Sequence, residues 1–351
     1  MDEKELNQIT AAFLKTLNAV QVSRLDRGHI HDTYIVTVAG FQTQFILQKI
    51  NHGIFGDVNL LMNNISKALQ AVRSSPVALN YGLIVPEIVP APDGELYQQD
   101  STGNYWRMYS AVPATESFDI CTNIKQAREA GKICAVFEAA LFSLNPSEMQ
   151  AVILDFHNLP ARYTALEDAV GKDLFGRVAE CSGLIEAVLE LRKDAAVIHD
   201  ALERGEIPYR VTHNDLKFNN VLFDLSGRAV SVVDYDTCMP GSIVYDYGNL
   251  ITFTCISGRE DEEDLSKIQF RADIFESINE GFMPVLKEFL TSEEKALFRK
   301  APALFALNES VRFLTDYLKG DVYFKIKYPQ QNLLRARARL HAARLLEQIP
   351  A

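Results

Sequence analysis

Apolar residues recur at helical spacing near the start of the chain, where Leu6, Ile9, Phe13, Leu14 and Leu17 fall on one face of residues 2–19. After "RLDRGHIHDT" the period changes. The run "YIVTVAGFQTQFILQKI" is rich in β-formers and predicts two strands joined in a hairpin at Ala39-Gly40. Leu61, Ile65, Leu69 and Val72 restore a helical period, and "LIVPEIVP" and "YWRMYSAVP" add strand-like runs, the first broken by Pro86 and Pro90. From about residue 122 the pattern is helical, through "IKQAREAGKICAVFEAALFSL", "LEDAVGKDLF" and "GLIEAVLELRKDAAVIHDALERG". Two segments interrupt it, "VTHNDLKFNNVLFD" and "RAVSVVDYDTCMPG", before helices resume near residue 246. A β-rich front third and a helical remainder predict an α+β chain of two lobes, residues 1–108 and 109–351, joined near Met108 to Val112. Two lobes make a cleft.

The first interruption places His213, Asp215, Lys217, Asn219 and Asn220 within eight residues, between apolar runs. Asn and Asp compete with the backbone for hydrogen bonds, so such a run makes poor helix and poor core. It reads as a rigid functional loop. With Asp234 fourteen residues beyond Asn220, the spacing His-x-Asp-x-Lys-x-x-Asn points to phosphoryl transfer. That chemistry needs a carboxylate to orient and deprotonate a hydroxyl, a cation near the moving phosphoryl, and oxygen ligands for a hard metal ion. Protein kinases meet these needs with H-R-D-x-x-x-x-N and a later D-F-G. On that logic Asp215 is the general base or the carboxylate that orients the hydroxyl, Lys217 lies near the transferred group, and Asn220 and Asp234 ligate Mg²⁺. His213 holds the loop through its ring hydrogen bonds. The bland alternative is turn chemistry, which accounts for a lone His-x-Asp but poorly for the complete set.

Composition adds exclusions. The 351 residues are 48% hydrophobic and carry a net charge of −11, so no global basic field exists to hold nucleic acid or an anionic membrane. The opening "MDEKELNQIT" is acidic and polar, which predicts neither a signal peptide nor a span and hence a cytoplasmic location. Five scattered cysteines without C-x-x-C spacing predict buried, reduced thiols.

The segments "HNDLKFNNVLFD" and "VVDYDTCMPGSIVYDYGNLI" resemble the aminoglycoside phosphotransferase and choline kinase superfamily, and "GHIHDTY", "FILQKIN", "DFHNLPARY" and "RFLTDYLKGDVYFK" resemble its N-acetylhexosamine 1-kinase branch. The likeness spans about residues 25 to 335. It implies a protein-kinase-like fold, with a small β-rich N-lobe binding ATP with Mg²⁺ and a larger, mainly helical lobe binding a small-molecule acceptor. It also implies a loop from Asp26 to Asp32 over the ATP phosphates, with Gly28, His29 and Thr33 as nucleotide contacts. The hinge would run from Arg107 to Ala111, offering backbone at Met108 and Tyr109 to adenine. The acceptor would be an amino sugar phosphorylated at C1, bound by a monomer or homodimer.

One departure from the kinase pattern is visible. "FILQKI" offers Gln48 where a lysine is expected and Lys49 beside it, and alternation allows only one of them to face the cleft. The next helix, "DVNLLMNNISKALQAV", has no glutamate, so the usual lysine–glutamate pair is absent. For the acceptor, strand alternation predicts Asp236 pointing the same way as Asp234. Asp246 is read as a brace for the loop or a helix cap. Arg312 and Asp316, one helical turn apart, together with Tyr317, form a candidate sugar grip. His31 and His157 are weaker candidates. The arginines of "NLLRARARLHAARLL" read as a solvated helix face. An aminoglycoside, choline or homoserine acceptor, or a nucleotide-binding pseudokinase, remains open on these grounds.

Overall fold

The computed structural model describes residues 3–15, 20–25, 30–40 and 44–349. The smaller lobe contains α1 (Glu3–Leu14), β1 (Val20–Leu25), β2 (Asp32–Val38), β3 (Phe45–Ile50), α2 (Val58–Ser74), α3 (Pro76–Tyr81), β4 (Ile88–Val89), β5 (Gln98–Gln99) and β6 (Tyr105–Ser110). Its antiparallel sheet runs β1-β2-β3-β6-β4, with β5 also on β6. Alternation sorts the sheet into two faces. Tyr34, Val36, Leu47, Trp106 and Met108 point outward and pack with Leu6 and Phe13 of α1. Thr33, Gln48, Arg107 and Tyr109 share the other face, toward the larger lobe. Helix α2, N-capped by Asp57 accepting from the Leu60 amide, buries Leu61, Ile65, Leu69 and Val72.

The larger lobe begins with β7 (Thr115–Glu116), α4 (Ile124–Leu141), α5 (Leu159–Lys172), α6 (Ser182–Leu189), α7 (Val197–Glu203) and β8 (Arg210–Thr212). Then come β9 (Val221–Asp224), β10 (Ala229–Val232), β11 (Met239–Gly241), α8 (Ile243–Cys255), α9 (Ala272–Leu286), α10 (Ser292–Phe298), α11 (Ala301–Leu318) and α12 (Gln331–Leu346). Helices α4 and α9 approach so closely that a Cβ on Gly131 would meet the Ile278 carbonyl oxygen at 2.3 Å. Only glycine allows that contact.

Two short antiparallel units position the polar loops. Strand β8 pairs with β11, and β9 pairs with both β10 and β7. Residues 213–220 leave β8 and enter β9, while residues 233–238 leave β10 and enter β11. Both loops therefore hang between the same two ladders, and the Val233 amide donates to the Asn220 carbonyl at 2.9 Å. The mixed α+β, protein-kinase-like architecture agrees with the sequence expectation. Strand β6, however, runs unbroken through residue 108 to Ser110, so the chain leaves the small sheet only after that point. All five cysteines are free and buried. Among the described residues no helix is long and apolar enough to cross a membrane.

Of the C-terminal arginines, Arg337 and Arg344 are exposed as expected, while two others depart from expectation. Arg335 and Arg339 are buried, lie over the rings of Phe313 and Phe253, and pair with Glu260. Arginine stems pack as apolar surface while the heads find a partner, and Glu260 is too distant in sequence to signal that.

Candidate active site

Asp215 lies on a loop fixed from several directions. Its carboxylate receives the Lys217 ammonium at 2.7 Å on Oδ2 and the Asn249 amide at 3.3 Å on Oδ1. Desolvation would raise its pKa, but Lys217 and Asn249 hold the carboxyl below its usual value. Lys217 is in turn held above its usual value against desolvation, chiefly by Asp215 and Asp234. Both groups are therefore charged at neutral pH.

His213 is fully buried and joins the two loops. Its Nδ1 accepts from the Asp215 amide at 3.2 Å, while Nε2 lies 3.1 Å from the Val233 carbonyl, one residue before Asp234. Nε2 thus carries the proton, and burial pushes the ring's pKa down, so the imidazole is neutral. It positions the site.

The backbone around Asp215 is anchored by buried groups. Asp246 accepts from the amides of Asn214 at 2.8 Å and Leu216 at 3.1 Å, while Ser242 caps α8, so Asp246 braces the loop. Asn214 has a left-handed φ of 61° and sends its amide nitrogen to the carbonyls of Thr212, Thr237 and Met239. A Cβ on Gly241 would lie 2.2 Å from the Asn214 amide oxygen, so β11 needs glycine there. Glu138 of α4 accepts from the His213 amide at 3.1 Å, and burial together with Asp246 raises its pKa well above the usual carboxyl value. His157 approaches the Asn214 carbonyl at 2.7 Å, stacks on Tyr245 and is pushed down to about 4 by burial, which makes it structural.

Asp234 sits at the cleft floor in a left-handed conformation, φ 75°. Such strain, of order 1–3 kcal/mol, is common where function fixes geometry. Desolvation and the neighbouring Asp236 and Asp215 push its pKa up to about 6, so a cation beside it would relieve the repulsion. Asn220 commits its amide nitrogen to the Asp215 carbonyl at 3.0 Å, so its oxygen is the atom that could face a cation. No group of three or more His, Cys, Asp or Glu side chains among the described residues forms a metal cage. A divalent ion held by one carboxylate, one amide oxygen and a nucleotide's phosphates suits such a sparse donor set.

Other expectations need correction. Asp236 is not on a strand with Asp234: β10 ends at Val232, and Tyr235–Thr237 form a 3-10 turn. Its carboxylate faces the small lobe, where Arg107 donates to both oxygens at 2.5 and 2.6 Å and His31 Nε2 stands 3.3 Å away. It is therefore engaged by the small lobe, through Arg107 and His31. Gln48, not Lys49, faces the cleft: it donates to Thr33 Oγ1 at 3.1 Å and accepts from Arg107 Nε at 2.9 Å. Lys49 lies across from Trp106 on the outer face. Met108 points into the outer core, and both Met108 and Tyr109 are paired between β3 and β4. Free hinge backbone thus begins beyond Ala111, whose amide still bonds to the Gln44 carbonyl. Gly28 and His29 lie outside the described residues.

On α11, Arg312 pairs with Glu309 at 2.7 Å rather than with Asp316. Asp316 instead accepts the amides of Val322, Tyr323 and Phe324. Tyr317 is 2% exposed; its hydroxyl reaches Glu180 and its ring lies beside Arg177, away from Asp215. Arg312 lies within electrostatic reach of Asp215, among Phe156, Tyr323 and Phe324. Sequence reasoning missed Arg107, Glu138, Asn214, Asn249 and Glu309. For Arg107 and Glu138 a signal existed, a lone charge inside an apolar run, which demands a buried partner.

Fold and site together define a two-lobed phosphotransferase. A model of the phosphotransferase enzyme family, APH, matches residues 21–275, and the chain belongs to that family. Among solved structures, a microcompartment-associated aminopropanol kinase is similar with a TM-score of 0.66 at 19% identity, over 99% of this chain and 97% of that one. A spectinomycin phosphotransferase in complex with ADP and its antibiotic gives 0.62 at 12%, over 99% of both chains. An ethanolamine kinase of Plasmodium vivax gives 0.62 at 14%, over 97% of this chain and 90% of that one. At these identities the likeness speaks for the fold.

Proposed function

We propose that the protein is a small-molecule kinase that moves the γ-phosphoryl of ATP to a sugar hydroxyl, the C1 hydroxyl of N-acetylglucosamine or N-acetylgalactosamine. The observation that carries the transfer is Asp215, ionised and aimed by Lys217 and Asn249. The acceptor oxygen attacks the γ-phosphorus, its bond to the bridging oxygen of ADP breaks, and the hydroxyl proton passes to Asp215. A carboxylate held below its usual pKa is a weak base, so its main work is orientation, with the proton moving late. Lys217 supplies positive charge beside the transferred group. Asn220 and Asp234 would hold a divalent cation, which supplies charge neutralisation at the phosphates.

The charged groups near Arg312 are matched to one another. Glu309 is already paired with Arg312, and Arg162 lies near enough to both for their charges to act on it. Asp155 also acts on Arg162 and Asp215 on Arg312, so both guanidiniums are matched by carboxylates and charge alone does not choose between a neutral acceptor and an ammonium. An N-acetylated amine has no charge, and the partnerless buried amide oxygens of Asn249 and Asn308 could accept from sugar hydroxyls. The resemblance of "DFHNLPARY" and "RFLTDYLKGDVYFK" to the N-acetylhexosamine branch supports the same choice.

The test is ADP release with Mg·ATP across N-acetylhexosamines, glucose, choline, homoserine, aminopropanol and kanamycin, with products examined by phosphorus NMR. An anomeric sugar phosphate is expected; turnover confined to a cationic acceptor would overturn the sugar assignment. Asp215→Asn is expected to lower kcat by at least a hundredfold with ATP still bound, and retained turnover would remove Asp215 from its role.

A further inference from the structure

The lysine–glutamate pair missing from β3 and α2 leaves open what links the nucleotide lobe to the metal loop. A different residue stands at that place. Arg107 of β6 lies directly across from Gln48 of β3 and is 1% exposed. Its Nε donates to Gln48 Oε1 at 2.9 Å, and its two terminal nitrogens donate to Asp236 at 2.5 and 2.6 Å. Gln48 passes the chain on to Thr33 of β2 at 3.1 Å. A row of hydrogen bonds thus crosses three strands of the small sheet and ends on a carboxylate of the large lobe.

Asp236 also meets the other end of the nucleotide lobe. His31 Nδ1 accepts from the Asn51 amide at 3.0 Å, which puts the ring proton on Nε2, 3.3 Å from Asp236 Oδ1. A bidentate guanidinium–carboxylate contact fixes the plane of the carboxylate as well as its distance. It therefore fixes the short turn Tyr235–Thr237 that follows Asp234, the residue held in a left-handed conformation. Buried ion pairs contribute little net stability, and their best use is to select one geometry.

We propose that Arg107 is a positioning residue that acts through Asp236 on Asp234, replacing the lysine–glutamate pair as the link between sheet, phosphate loop and metal loop. The proposal rests on Asp234 being a metal ligand, as read above. Lobe closure and placement of the metal aspartate are then one event.

Binding of the non-hydrolysable ATP analogue AMP-PNP, measured by calorimetry over a range of Mg²⁺ concentrations, tests this without turnover. The proteins compared are wild type, Asp234→Asn, Arg107→Gln and the double variant Arg107→Gln/Asp236→Asn. Arg107→Gln strands a buried carboxylate and is exposed to misfolding; the double variant is neutral and close in shape, and melting curves verify its fold. Asp234→Asn is expected to raise half-saturating Mg²⁺ at least tenfold, and the folded double variant at least fivefold. A double variant within twofold of wild type beside a shifted Asp234→Asn would leave the pair only structural and overturn the proposal. An unshifted Asp234→Asn would overturn the metal reading first, and the proposal with it.

Discussion

Removing the Asp246 carboxylate should unfasten the loop that carries Asp215. Asp246 is fully buried, and its two oxygens accept from the amides of Asn214 and Leu216, which bracket Asp215 in the chain. Asp246→Ala strands two buried donors at about 1–3 kcal/mol each, and water entering the vacated space recovers part, so the expected loss is about 2–4 kcal/mol. Asp246→Asn keeps one acceptor oxygen but turns an NH₂ group toward the other amide, for a loss of about 1–3 kcal/mol. Urea unfolding followed by circular dichroism reads the stability. Steady-state kinetics read the site: kcat should fall at least tenfold in Asp246→Ala, because the peptide bearing Asp215 loses its registry, while nucleotide binding on the other lobe persists. An Asp246→Ala protein within about 0.5 kcal/mol of wild type, with kcat within twofold, would refute the brace.

Two further outcomes follow from neighbouring groups. Gln48→Ala removes the bridge between Thr33 and Arg107, worth about 1 kcal/mol, and should raise the KM for ATP roughly fivefold, whereas Lys49→Ala on the outer face should change it less than twofold. The reverse ranking would reject the observed register. Glu138 has a pKa raised by burial and by Asp246, so the folded protein keeps a proton that the unfolded chain releases above the ordinary carboxyl range. Its contribution to stability is complete at low pH and is lost as pH rises toward the folded pKa. Glu138→Gln has no such loss, so its melting temperature should gain on wild type between pH 5 and pH 8; an equal difference at both would show Glu138 ionised.

What the sequence revealed depended on whether the relevant partners lay nearby. That the loop of Asp215, Lys217 and Asn220 would meet Asp234 was legible because phosphoryl transfer asks for these residue types at short fixed spacing. The β8–β11 pairing that brings their loops together joins strands of only three residues, too short for any periodic signal. Helix periods were legible wherever one face meets a core, as in α2. At α12 the helix was legible but two of its four arginines were misread, since the stems of Arg335 and Arg339 pack like apolar residues. Asp236 went astray for a local reason: alternation holds only along a strand, and the left-handed turn at Asp234 ends that strand's rule two residues early.

Arg107 and Asp236 show the limit most sharply, since 129 residues separate them. "YWRMYS" shows an arginine in a buried strand and "VVDYD" shows two carboxylates after one, and each alone is an incomplete statement of charge. A buried guanidinium requires an anion, and one of two crowded carboxylates requires a cation. That demand was legible, but only the fold says which residues answer it. The same reasoning separates the two aspartates by role. Arg107 takes Asp236 and holds its pKa far below the usual carboxylate range against desolvation, whereas Asp234 forms no ion pair among the described residues and is pushed the other way. Two carboxylates two residues apart are thus divided into one that fastens the loop and one left open toward the cleft, where a metal-bound nucleotide would have to meet it.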